Sequence, residues 1–400
     1  MTAAGPRLVN ARHAAHVSLE PSSSGREAVE AYAEEIRRRL GSDVFLAARL
    51  EGHLLRRLGV DPSTLSAAIL GGLAGISFRL LVPLGVTAVT GRWVGIRWEA
   101  WVLIAILLGF ADAWSLRRHV PIGLAGEPMR VEARRMLQDL TGLVPRIEHL
   151  ADLRQLAAFV RRWYNIRASA AVAAAVAFTI LLACLAVAPN SMAELPLGSV
   201  ALLALLLYEF GELAFQNLYS VPFMTREARY DHGLFWPSPV DSVEVQGEMR
   251  AWATMQFMVG VGVTFSLVLA VLLVGPESPL VLPLAAGFIG WGYATTFASM
   301  VAVRAGVRTI VAKSRERNLA ALQSRIDAYG PPFAERSPAD AARVEHLIAL
   351  HRAIREAPAS PSASRTLIHT MVALVIPTAM FIVSVFGEVI AERLLDALLP

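Results

Sequence analysis

Four ionisable residues lie inside long apolar runs: Arg79, Asp112, Glu209 and Glu212. Charge at membrane depth is costly, so such groups face a bundle interior, pair with one another or line a pathway. Glu209, Glu212 and Gln216 recur at i, i+3 and i+7, a polar stripe on an otherwise Leu-rich helix. Gly71, Gly75 and Arg79 share a face every four residues, and small residues let a neighbouring helix approach and bury the guanidinium. Gln256, Gly260 and Thr264 share another face, as do Gly292, Thr296 and Ser299, while His369 sits in the first turns of a further apolar run.

At a 1.5 Å rise per residue, Asp112, Glu212, Gln256, Ser299 and His369 fall within roughly 10 Å of one membrane surface. Glu209 lies slightly deeper and Arg79 near the midplane. The pattern predicts a polar pocket open on that side, with Arg79 paired to Glu209 or, as second choice, to Asp112. Two chemistries follow. A buried Arg–Glu pair locks the register of two helices. Two carboxylates one turn apart repel, and a proton or small cation at Glu209 and Glu212 relieves that repulsion.

Catalytic patterns are missing from the sequence. There is no phosphate-binding Gly-rich loop ending in Lys-Ser/Thr, no His-Glu-x-x-His and no Gly-x-Ser-x-Gly. His346 and His351 are five residues apart and point to different helix faces, so they do not clamp one zinc. The one cysteine, Cys184, has no disulfide partner in the chain. No catalytic residue, metal site or cofactor is expected, and the chain reads as non-enzymatic.

The elements that must hold the charged residues follow from composition. The 400 residues are 55% hydrophobic and 18% charged, against about 25% charged in a soluble domain. Mean hydropathy is +0.50. The chain reads as an all-α, polytopic integral membrane bundle. Seven runs are long enough to span a bilayer, near Leu65–Val89, Trp98–Leu116, Ala168–Ala188, Pro196–Leu218, Ala253–Val274, Leu280–Val303 and Thr366–Val389. No short apolar run follows a basic start, so no cleavable leader is expected.

Basic residues fix a predicted orientation. Thirty-three of the 37 Lys and Arg residues fall on one side, while Arg92, Arg97 and Arg393 fall on the other and Arg79 lies within the first run. The positive-inside rule then places the N-terminus in the cytoplasm and the short tail 390–400 outside an inner (plasma) membrane. The strong bias to arginine, with Lys313 the single lysine, suggests a GC-rich bacterial genome. Arg56-Arg57, Arg117-Arg118 and Arg161-Arg162 abut the runs and suit anionic lipid headgroups. No nucleic-acid footprint is read, because basic clusters alternate with Glu and lack a stacking face.

The segments on the basic side are expected to be helical. Residues 1–64 form an N-terminal region with one or two amphipathic helices over 26–58. The loop 117–167 carries a helical stretch over 128–167 broken at Pro145. The loop 219–252 is different: Pro222, Pro237 and Pro239 predict no continuous helix there. In 304–365 the last turn of span six runs on to Tyr329, Gly330-Pro331-Pro332 stops it, and a second helix starts after Ser337. That segment reads as a helical hairpin between spans six and seven, with 304–356 available for self-association or a protein partner. The leading expectation is a non-enzymatic inner-membrane protein whose cytoplasmic helices engage other copies or partners. The alternative is a transporter or channel for protons or small cations through the Glu209/Glu212 pocket.

Overall fold

The computed structural model describes residues 23–40, 57, 65–91, 93, 96–119, 138–234, 239–329 and 337–356. Among these residues the chain is helical, with a single isolated bridge between Ile147 and His232. The helices are α1 (Ser23–Leu40), α2 (Leu65–Thr90), α3 (Trp98–His119), α4 (Leu150–Trp163), α5 (Ile166–Val187), α6 (Pro189–Glu194), α7 (Leu197–Glu227), α8 (Val243–Val274), α9 (Val281–Asp327) and α10 (Pro338–Glu356).

Five helices are long and apolar enough to cross a membrane: α2, α5, α7, α8 and α9. Their outward faces are apolar too, with Leu73, Leu81, Phe178, Leu182, Leu282 and Phe297 exposed. An amphipathic helix in water shows the reverse. The second expected span falls in α3, a 22-residue helix whose apolar part among the described side chains is Trp98–Gly109. The seventh expected span, 366–389, lies outside the described residues.

α7 is the central element and packs on α2, α5, α8 and α9. Close approach is built in where α7 meets α5: a Cβ on Gly211 would stand 2.5 Å from the Ala173 Cα. One core fills the bundle, with Trp101, Ile104, Leu206, Phe210 and Phe288 fully buried. A second core lies on the arginine-rich side, where Ile36 of α1 and Leu156 and Val160 of α4 meet Phe223 of α7 and Val307 and Ile310 of α9. At 47 residues α9 is about 70 Å long, more than twice the hydrocarbon core of a bilayer, so it serves both cores.

Caps set the ends. Asn165 Oδ1 accepts the amides of Arg167 and Ala168 at 3.0 and 3.1 Å and starts α5. Ser242 Oγ accepts the Val245 amide at 3.3 Å and starts α8. Ser337 Oγ accepts the Asp340 amide at 3.2 Å at the head of α10, as its sequence position predicts. The Val144–Arg146 3-10 turn marks the predicted break at Pro145. α10 packs on the distal part of α9, with the Arg355 carbonyl accepting from Arg315.

The proline-rich segment departs from expectation. α7 continues through Pro222 to Glu227, and α8 begins at Val243 rather than Ala253. Pro222 removes one main-chain hydrogen bond, yet burial of Tyr219, Phe223 and Met224 on either side of it holds the helix together. The connection between the two long helices is therefore far shorter than 219–252.

Candidate functional site

Arg79 of α2 and Glu209 of α7 form an ion pair within the bundle. Arg79 Nη2 stands 2.7 Å and Nε 3.0 Å from Glu209 Oε1. The arginine is 1% exposed and is among the largest fully buried side chains of the protein. A buried guanidinium is stable only with its counter-charge in good geometry, so the pair fixes the rotation of α2 against α7. Two turns away along α2, Gly72 packs closely on α3: a Cβ on Gly109 would stand 2.8 Å from the Gly72 carbonyl. Gly72 is thus the close-contact glycine between α2 and α3, one residue along from the Gly71 of the sequence pattern.

One turn below, Glu212 is buried and hydrogen-bonds the Tyr208 hydroxyl. A column of small polar groups continues toward the basic side. Asn217 Nδ2 donates to Thr296 Oγ1 at 3.1 Å. Ser220 Oγ donates to the Asn217 carbonyl at 2.6 Å and lies 2.8 Å from Ser299 Oγ. Gln256 Nε2 donates to Ser299 Oγ at 3.4 Å, so α7, α8 and α9 meet at one hydroxyl. Asn217 Oδ1 is buried without a partner.

The column is closed. Asn217, Ser220 and Ser299 are 0% exposed, Thr296 1% and Gln256 3%. The expected pocket open to one side is a packed, hydrogen-bonded network instead, because short side chains on α7 and α9 satisfy one another directly. Gln216 is half-buried and stands aside from it, while Asn217 and Ser220, which the i, i+3, i+7 stripe omits, take the interior positions. The Asp112 side chain and His369 lie outside the described residues.

A second polar cluster has no counterpart in the sequence reading. Glu227 ends α7, and Glu248 and Trp252 stand one turn apart early in α8, before the apolar stretch Ala253–Val274. His232 comes from the connection between them, which hydrogen-bonds the 144–148 segment through Gly233 N to Arg146 O at 2.7 Å and Glu148 N to Asp231 O at 3.0 Å. Glu227, His232 and Glu248 are all buried, and His232 Nε2 lies 3.9 Å from Glu227 Oε1. In the sequence Glu227 sits between Arg226 and Arg229, and Glu248 among Gln246 and Arg250, so the local sequence marks neither as buried. The available signal was the i, i+4, i+8 spacing of Glu248, Trp252 and Gln256 on one face.

The single lysine closes the end of the same helix. Lys313 Nζ donates to the carbonyls of Ala228 and Arg229 at 3.0 and 2.9 Å, placing a cation on the C-terminus of α7. Among the described residues no three His, Cys, Asp or Glu side chains are placed to hold a metal ion. Compared with protein-family models, with curated proteins and with solved structures, the chain matches none of them.

Proposed function

We propose that the protein is a seven-span, non-enzymatic component of the inner membrane, N-terminus inside, whose cytoplasmic helices engage other copies or partner proteins. The observation that supports this most directly is the distal arm. α9 continues well past what a bilayer needs, and α10 packs on its distal part. Between α9 and α10 lies a cleft of about 700 Å³, lined by Ala328, Tyr329, Leu347, Arg325 and Arg343. The bias of arginine to this side supports a cytoplasmic position.

Val307, Ile310 and Lys313 belong to the inner core and its cap, so a clean test spares them. Replacing 320–356 by a short flexible linker leaves the bundle folded. Native mass spectrometry and co-purification then read association. Loss of higher-order species or partners is the expected result; unchanged association overturns the reading.

A second reading, a pathway for protons or small cations, is favoured by the buried column from Glu212 through Asn217 and Ser220 to Gln256. In proteoliposomes Glu212→Gln abolishes flux if this reading holds. Absence of wild-type flux for protons and the common alkali cations removes it.

A further inference from the structure

The cluster where the 228–234 connection closes over the start of α8 carries more acid than its surroundings neutralise. Glu227 and Glu248 are 0% exposed, and none of their four carboxylate oxygens accepts a hydrogen bond of normal geometry. Glu227 stands close enough to act on the charge of Glu248, which the Trp252 indole and the Leu143 main chain approach as hydrogen-bond donors. The cations nearby are engaged elsewhere: Arg146 with Glu244, Lys313 with two carbonyls, and Arg37 with Glu34 and Thr141. Asp139, beside Gly247, adds negative charge on the same flank.

His232 supplies the independent observation. Its side chain is 0% exposed, and its Nδ1 lies 3.2 Å from the Tyr230 carbonyl, an acceptor only. Nδ1 therefore carries a hydrogen, and the ring turns Nε2 toward Glu227 Oε1 at 3.9 Å. Nε2 has no hydrogen-bond partner. Two carboxylates and a ring nitrogen thus share a buried site whose donors, the Trp252 indole and the Leu143 main chain, serve Glu248, and two dry carboxylates this close do not both persist as anions in such a place.

We infer that Glu227, Glu248 and His232 form a proton-binding site at the inner end of α7, holding a proton that none of the three retains in the unfolded chain at neutral pH. The ligand is the proton itself. The site ties the seating of the 228–234 segment on the bundle to local proton activity. This extends the second reading above without depending on it, since proton binding is read directly and needs no flux.

The test uses the full chain in nanodiscs. Infrared spectra of wild type at neutral pH show a protonated-carboxyl C=O band that shifts in deuterium oxide and is missing from Glu248→Gln or Glu227→Gln. A proton bound only in the folded state makes stability fall as pH rises. The melting temperature of wild type therefore drops from mildly acid to mildly alkaline pH, and Glu248→Gln flattens that slope. His232→Asn keeps both acids and alters what they face, so it shifts the band; this arm carries the test if neither Gln variant folds. Overturning results are a wild-type spectrum without the band, a band unchanged in all three variants, or a melting temperature that a chelator lowers and added divalent cation restores.

Discussion

Arg79 Nη2 lies 2.7 Å from Glu209 Oε1, joining the first crossing helix to the central one. Removing one partner strands the other without its counter-charge. Arg79→Met is expected to destabilise by about 3–5 kcal/mol, while Arg79→Met with Glu209→Met recovers most of that loss. Denaturant unfolding of wild type and the two variants in detergent checks the order, and a double variant no better than the single contradicts it.

Ser299 holds three helices at one hydroxyl, through Ser220 on α7 and Gln256 on α8. Ser299→Ala leaves the Gln256 amide and the Ser220 hydroxyl short of a buried partner. A loss of about 1–3 kcal/mol is expected. Ser299→Thr keeps the oxygen but adds a methyl to a filled site, so it too destabilises. Thermal unfolding resolves both.

Lys313 caps α7 with two charge-assisted bonds. Lys313→Met keeps the aliphatic stem and removes the cation. A cost of about 1–2 kcal/mol is expected, and it appears first as faster hydrogen exchange at the amides of 225–233. Equal exchange in variant and wild type shows the cap to be dispensable.

Gly211 admits α5 to the backbone of α7, where an added Cβ meets the Ala173 Cα at 2.5 Å. Main chain on both sides leaves nothing flexible to yield. Gly211→Ala therefore pushes the helices apart at a cost of about 1–3 kcal/mol. Gly85 on α2 has open space around its Cβ position, and Gly85→Ala serves as the matched control. Similar losses in the two variants argue against the close contact.

The sequence by itself determined the all-helical class and the long apolar elements, since hydropathy over twenty consecutive residues needs no knowledge of neighbours. It also determined the Ser337 cap and the break at Pro145, which are local chemistry. Its pairing of Arg79 with Glu209 rested on charge and depth, and those restrict the options to few. Tertiary structure decided the rest. Whether Pro222 ends a helix depends on the packing of Tyr219 and Phe223, which local propensity does not contain. Gln216 and Asn217 are adjacent in sequence, and only the rotation of α7 against α9 sends one to the rim and the other inward. Glu227, His232 and Glu248 meet because a short connection returns α8 to the end of α7. Such a meeting is a property of chain geometry, invisible to the spacing pattern of any single helix.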